Sequence, residues 1–316
     1  MSKTAFIFPG QGSQYIGMGK DFYDNFKEAK DVYQEANEAL SHDLSGLIFN
    51  GNEDDLKKTE NTQPAILATS IAMLKCLEKE GVSSEYTAGL SLGEYSSIVY
   101  AGGLDFSDAV KIVRSRGIFM QEAVPLGLGG MVAILGLDED KDHLVIESSK
   151  DYGVVEVANY NSPGQIVISG ELKALEIAKK KALELGAKKA VDLSVSAPFH
   201  SSLLKIAGEK LENELTQYNI KDLNKNVLAN VDANIIRDKD DLKEKLVRQV
   251  SNSVLWQQSV EFMINGGIDT FIEIGPGKSL TGFVKRIGKA MNKDIKSLNI
   301  SDISTFDKTL NYLGGN

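Results

Sequence analysis

The sequence predicts an α/β fold in which a small subdomain is inserted into a larger α/β body. Strands and helices alternate along both flanks of the chain. Between them the order changes to β-α-β-β-α-β, the split βαβ or ferredoxin-like unit. The prolines agree with this division, because each of the six (Pro9, Pro64, Pro125, Pro163, Pro198 and Pro276) falls where an element is expected to begin or end. The expected organisation is a body formed by residues 1–126 and 198–316, with residues 127–197 as the inserted subdomain.

Ala5–Phe8 reads as a short buried strand running into the loop Pro9–Gln14, and a helix is expected from about Gly19 to Leu40. Asn61 or Thr62 can cap the next helix, with Pro64 in its first turn and Gly81 as its stop. Tyr86–Ala88 is a strand that leads through a sharp turn into a helix stopped at Gly102 and Gly103, and Asp105–Glu122 is a further amphipathic helix. In the insertion the expected elements are strand Met131–Leu137, helix Asp138–Lys150, strand Val154–Asn159, strand Gln165–Ser169, helix Glu171–Leu185 and strand Lys189–Val195. Beyond Pro198 come helices near Ser201–Tyr218, Asp240–Val250 and Ser259–Gly266, strands Val227–Asn230 and Thr270–Ile274, and a final helix after the GPGKS loop.

The chain has 316 residues, 42% hydrophobic and 25% charged, which is ample for a core. Lys and Arg number 35 against 44 Asp and Glu, for a net charge of −9. That balance argues against nucleic acid or an anionic membrane surface as a partner, so any anionic ligand has to be caught by local cations. The single cysteine, Cys76, excludes an internal disulfide and a multi-cysteine metal site, and reads as a small core residue. The longest apolar run, Pro64–Leu74, is interrupted by Thr69 and Ser70 and is too short to span a bilayer. No secretory leader is legible at Met1, and the expectation is a soluble cytoplasmic protein.

The strongest chemical signal is Gly89-Leu90-Ser91-Leu92-Gly93 between a strand and a helix. This G-x-S-x-G context thrusts a serine out of a tight elbow, and the helix N-terminus behind it favours developing negative charge, with the Leu92 N–H placed to donate to an oxyanion. A serine nucleophile needs a base. Of three histidines, His42 and His143 lie in charged, capping contexts, whereas His200 sits on the loop Ala197–Ser201 after an apolar strand and is the candidate general acid/base. The Gly10-Gln11-Gly12 loop fails the dinucleotide fingerprint, because Tyr15 stands at its third glycine. Gly277-Lys278-Ser279 fails the Walker A pattern, because Ile272 stands at its first. The Gln11 loop can still supply a second oxyanion N–H. Arg114 and Arg116 both flank the apolar stripe of their helix, and helical geometry does not say which turns inward.

Together, FPGQGSQ (8–14), GLSLGEYS (89–96), RG (116–117), NSPGQ (161–165), APFHS (197–201), LVRQ (246–249) and EIGPGKSLTG (273–282) resemble the malonyl-CoA:acyl carrier protein transacylase family of type II fatty-acid synthesis, in order over nearly the whole chain. The resemblance implies an α/β-hydrolase-like body carrying a ferredoxin-like subdomain. It implies Ser91 as nucleophile, His200 as base, the Gln11 and Leu92 N–H groups as oxyanion hole and Arg116 as the grip on a malonyl carboxylate. It also implies that the Gln249 carbonyl orients His200, and that Phe199 restricts branched acyl groups. One departure is Leu90, where many members have histidine.

The implied reaction is ping-pong acyl transfer from malonyl-CoA to holo-acyl carrier protein, with no permanently bound cofactor, no metal and a monomeric enzyme. Lys179, Lys180, Lys181, Lys188 and Lys189 are the expected docking cations for an acidic carrier. Two other readings compete, a serine thioesterase or esterase and a non-catalytic acyl-carrier-binding scaffold. The early placement of His200 differs from the usual late histidine of hydrolases.

Overall fold

The computed structural model describes residues 3–125, 127–195 and 197–314. Residue 126, the expected end of the first body segment, lies outside the described residues, as do the chain ends at 1 and 316. The first half contains β1 (Thr4–Phe8), α1 (Lys20–Asn25), α2 (Lys27–Leu40), α3 (Leu44–Asn50), α4 (Glu53–Lys57), α5 (Thr59–Lys79), β2 (Tyr86–Gly89), α6 (Gly93–Tyr100) and α7 (Phe106–Glu122). Next come β3 (Gly129–Leu135), α8 (Asp142–Glu147), β4 (Val155–Ser162), β5 (Gln165–Glu171), α9 (Leu172–Glu184) and β6 (Lys189–Asp192). The chain then forms α10 (Lys205–Leu215), β7 (Asn226–Leu228), α11 (Lys239–Gln249), α12 (Trp256–Asn265), β8 (Thr270–Ile274), α13 (Ser279–Ala290), β9 (Lys296–Ile300) and α14 (Ile303–Gly314).

A five-stranded parallel sheet in the order β7-β2-β1-β8-β9 forms one layer. Helices cover both faces, as a parallel sheet requires. The pleat of β1 divides the core accordingly: Phe6 and Phe8 join α2, α5 and α7 on one side, while Ala5 and Ile7 meet α12 and α13 on the other. The second sheet is antiparallel, in the order β4-β5-β3-β6, with its own apolar core under α8 and α9. The two sheets are stitched together where β4 meets the segment after α11, through Val254 N–H to Ala158 O (2.8 Å) and Tyr160 N–H to Val254 O (3.0 Å).

Helix α5 explains the long apolar run, because it is buried almost all round against α2 and α7. Among the described residues no helix is long and apolar enough to cross a membrane.

Several expectations are corrected. The helix expected over 19–40 is broken at Phe26, which is extended (φ −122°, ψ 130°). Its ring packs against Phe22 and Phe306, and that aromatic contact redirects the chain. Helix α5 starts at Thr59, before the proposed caps, because the Lys58 carbonyl accepts from both the Asn61 and Thr62 N–H groups. Pro64 therefore lies in the second turn and not the first. The helix expected over 138–150 is interrupted into a 3₁₀ turn at Glu139–Lys141, α8, and a second turn at Lys150–Tyr152. The one expected over 201–218 is shortened to a 3₁₀ turn at Ser202–Leu204 followed by α10. Helices α3 and α4 were not foreseen. The helix after GPGKS is not the last element, since β9 and α14 follow it. Strand β9 is a half-exposed edge whose sequence, KSLNI, carries little apolar alternation.

The register Phe8 to Gly89 sets the ends of β1 and β2 side by side, so the Pro9–Gln14 loop lies against the Leu90–Leu92 turn. The Leu90 N–H donates to Phe8 O at 3.0 Å. Gly93 lets this happen: a Cβ there would overlap the carbonyl oxygen of Phe8, backbone that cannot swing away. Gly93→Ala is therefore expected to destabilise the protein by about 3 kcal/mol or to prevent folding, measured as the urea midpoint against wild type. An unchanged midpoint would show that β1 and α6 do not approach this closely.

Candidate active site

At the end of β2 the chain turns through Leu90, Ser91 and Leu92 into α6, and Ser91 is left-handed at φ 52°. A non-glycine residue there is strained and has to be held by its surroundings. Asn230, just after β7, accepts from the Ser91 N–H (2.6 Å) and donates through Nδ2 to Gly89 O (2.7 Å). The Gln249 side chain donates to Ser91 O at 2.9 Å. The elbow's N–H groups at Leu90, Ser91, Gly93 and Glu94 are thus all taken up, by Phe8 O, Asn230 Oδ1, Leu90 O and Ser91 O. Among the described residues the Leu92 N–H has no such partner, nor does that of Gln11, and both residues line the same cavity.

His200 is also left-handed (φ 59°) and is buried. Its Nε2 lies 2.7 Å from Ser91 Oγ and its Nδ1 lies 2.8 Å from the carbonyl oxygen of Gln249. A carbonyl only accepts, so Nδ1 carries the proton and Nε2 presents its lone pair to the serine hydroxyl. Burial, reinforced by the positive charge of Arg116, pushes the imidazole down to about 4 against the opposing pull of the Gln249 carbonyl. The ring is therefore neutral at neutral pH, the form a general base requires.

Arg116 settles the question that helical geometry left open. It turns inward to 1% exposure, whereas Arg114 stays half-buried and does not line the cavity. Its guanidinium donates through Nη1 to Gln63 Oε1 (2.8 Å), and through Nη2 to Gln249 Oε1 (2.9 Å) and Ser91 Oγ (3.2 Å), and it lies over the Tyr95 ring at 5.6 Å. No carboxylate among the described residues touches it; every oxygen it meets is neutral.

These groups converge on a cavity of about 550 Å³ between the two sheets. Gln11, Ser91, Leu92, Arg116, Phe199 and His200 all line it, and its far wall comes from β3–β5 and the start of α13. Glu273 on β8 fixes that start by accepting from the Leu280 (3.2 Å) and Thr281 (2.7 Å) N–H groups. His42 and His143 are exposed and stand outside the cavity. Of the lysines singled out above, Lys179 pairs with Asp192 (2.8 Å) and Glu176 (3.0 Å), and Lys181 lies 3.5 Å from Glu184. Lys180, Lys188 and Lys189 are exposed.

Sequence reasoning missed Gln63, Asn230, Glu94 and the side chain of Gln249. Gln63 left one trace, a polar residue at the head of an apolar helix. Glu94 lies within the quoted motif but reads as an ordinary first-turn acid, whereas it is fully buried, with its carboxyl pushed up to about 7 by that burial.

A strained serine hydrogen-bonded to a neutral histidine, beside uncommitted backbone N–H groups, is equipped for acyl transfer through a serine ester. A family model described as "Acyl transferase domain" matches residues 5–306. A malonyl CoA-acyl carrier protein transacylase of Bacillus subtilis (strain 168) is 48% identical over 314 residues, covering 99% of this chain and 98% of that protein. The crystal structure of malonyl CoA-acyl carrier protein transacylase from Clostridium perfringens superposes with a TM-score of 0.95 at 51% identity, over 99% of this chain and 98% of that one. A type II PKS acyl-carrier protein in complex with its malonyl-transacylase gives 0.95 at 39% identity over the full length of both chains. The chain belongs to the malonyl CoA-acyl carrier protein transacylase family of acyl transferases.

The depressed imidazole gives a direct test. In an NMR titration His200 should stay neutral as the pH falls below 6.5, protonating only near 4. Because the unfolded chain takes up this proton first, near 6.5, the contribution of His200 to stability is full above 6.5 and is lost as the pH falls toward 4. Arg116→Ala should move the titration upward; a wild-type midpoint at 6.5 would contradict the buried geometry.

Proposed function

We propose that the protein moves the malonyl group from malonyl-CoA to the phosphopantetheine thiol of acyl carrier protein through a malonyl ester on Ser91. The observation that carries this reading is a buried arginine, without a carboxylate partner among the described residues, 3.2 Å from the serine oxygen. Family membership points the same way.

In the first half-reaction Ser91 Oγ attacks the thioester carbonyl as His200 Nε2 takes its proton. The Gln11 and Leu92 N–H groups receive the oxyanion, each donor contributing about 3–4 kcal/mol. The C–S bond then breaks, and the histidine returns the proton to the departing thiolate of coenzyme A. In the second half-reaction His200 takes the proton of the carrier's thiol, which attacks the ester carbonyl, and Ser91 leaves with that proton. The Gln249 carbonyl keeps His200 in the tautomer both halves need. Arg116 holds the malonyl carboxylate by charge-assisted hydrogen bonds. An acetyl group would leave that cation without its anion in a dry pocket, a loss worth about 10⁴-fold in discrimination. Phe199 limits space for an α-branch.

The architecture we propose is an α/β-hydrolase-like body formed by residues 1–126 and 198–316, with a ferredoxin-like insertion at 127–197. Its support is the elbow at the end of β2 and the antiparallel β-α-β-β-α-β unit, whose strands lie in the spatial order second, third, first, fourth. The enzyme is proposed to act as a cytoplasmic monomer, with malonyl-CoA and holo-carrier as substrates and no resident cofactor. We retain the docking surface on the inserted subdomain. Within it Lys180, Lys188 and Lys189 are the more available cations, since Lys179 and Lys181 are engaged by acidic neighbours.

Incubation with malonyl-CoA should yield a malonyl adduct on Ser91 by mass spectrometry, absent in Ser91→Ala, and malonyl-carrier on addition of the holo-carrier. Free malonate as the main product would favour a thioesterase, and no adduct at all a scaffold. Arg116→Ala should lower malonyl transfer at least about 10²-fold while acetyl loading improves relative to it. Charge reversal at Lys188 and Lys189 should raise KM for the carrier and not for malonyl-CoA; equal effects on both would remove the docking assignment.

A further inference from the structure

We propose that Glu94 is a positioning residue: by setting the orientation of the Gln249 side-chain amide, it aims the Arg116 guanidinium and steadies the Ser91 elbow. The inference rests on the malonyl-transfer reading and deepens it. Glu94 does not line the cavity. It stands in the first turn of α6, fully buried, and its Oε2 accepts from Gln249 Nε2 at 2.7 Å and from the Asn230 N–H at 3.0 Å.

A carboxamide has two orientations that exchange its oxygen with its NH₂ group. In the one seen here the NH₂ faces Glu94 Oε2 and Ser91 O, so Gln249 Oε1 faces Arg116 Nη2 at 2.9 Å. In the other, the NH₂ would meet the donors of the guanidinium, and the oxygen would meet a carboxyl oxygen and a carbonyl. Buried mismatches of that kind carry the full desolvation cost of each unpaired group. Glu94 Oε2 is the nearest acceptor to this NH₂. Asn230 Oδ1, the remaining one, is 3.4 Å away. The lock does not depend on ionisation. Oε1 has no hydrogen-bond partner among the described residues, so a proton would reside there and leave Oε2 an acceptor.

The arrangement also explains why an acid is placed one residue removed from the arginine. A carboxylate in direct contact with Arg116 would form an ion pair and compete with an incoming malonyl carboxylate. With Gln249 between them, the guanidinium is oriented by a neutral oxygen and stays open to the substrate.

The test compares Glu94→Met, which removes the acceptor, with Glu94→Gln, which can keep an oxygen at the Oε2 position. Single-turnover acylation of Ser91 by malonyl-CoA and by acetyl-CoA is followed by intact-protein mass, after urea denaturation has shown each variant to be folded. Glu94→Met is expected to lower the malonyl rate about tenfold or more while the acetyl rate changes less than about threefold, and Glu94→Gln is expected to restore the malonyl rate to within about threefold of wild type. Equal losses for both thioesters, or no recovery with glutamine, would overturn the assignment. Should Glu94→Met not fold, Glu94→Asp withdraws the acceptor by one methylene, and an unchanged malonyl-to-acetyl ratio in it would overturn the assignment as well. Wild type is measured first: absence of malonyl transfer there would defeat the functional reading itself, whereas normal wild-type transfer with unaltered ratios in the variants defeats only the role of Glu94.

Discussion

A guanidinium buried among neutral oxygens is the constraint on which the rest of the site depends. Removing an arginine from water costs several kcal/mol, and a protein normally offsets that with a carboxylate. Here Arg116 is held by two glutamine amides, a serine hydroxyl and the face of Tyr95. Those contacts engage Nη1 and Nη2, leave Nε without a hydrogen-bond partner among the described residues, and leave the charge uncompensated at close range. Its field contributes to keeping His200 deprotonated, although burial is the larger cause. In the mechanism proposed above, one cation therefore prepares both sides of the chemistry, a neutral base for the serine and an electrostatic demand for an anionic acyl group.

Holding that cation beside a strained serine needs elements from far apart in the chain. Gln63 comes from α5, Arg116 from α7, Asn230 from the turn just after β7 and Gln249 from the end of α11. Gln249 joins them: its backbone oxygen orients His200, its amide nitrogen binds the Ser91 carbonyl and its amide oxygen binds Arg116. A residue with three such duties transmits error in any one of them to the others. The glycines work on the same scale, because Gly93 brings β1 against α6 closely enough for the Phe8 carbonyl to hold the elbow.

What was legible in the sequence followed from local chemistry. The elbow could be read because a strand, two glycines and a helix start are contiguous. The strand Thr270–Ile274 could be read because a short apolar run ends in Gly-Pro-Gly. The β-α-β-β-α-β order was visible because apolar period and turn residues change together there. What was not legible depends on contacts distant in sequence. The break at Phe26 follows from a cluster with Phe306, and the early start of α5 follows from a lysine carbonyl accepting two N–H groups. The inward turn of Arg116 depends on Gln63 and Gln249, and neither lies within fifty residues of it in the chain. Gln249 came into view only through the family resemblance, and then for its carbonyl. Its side chain, with Glu94 behind it, gave no local signal because amides and first-turn acids are common on helices.

The overall charge of −9 and the buried arginine are compatible for a physical reason. Surface carboxylates act on a ligand through water and salt, and their effect fades within about 10 Å. A desolvated guanidinium acts on a bound carboxylate at contact distance in a medium of low effective dielectric, where the attraction is several times stronger. The protein can therefore be repulsive to anions at long range and selective for one at short range. On the proposed reading, that selectivity requires the buried acid Glu94 to reach Arg116 only through the amide of Gln249. Direct contact would have given a more ordinary buried ion pair and a pocket with no unmet need for a second carboxylate.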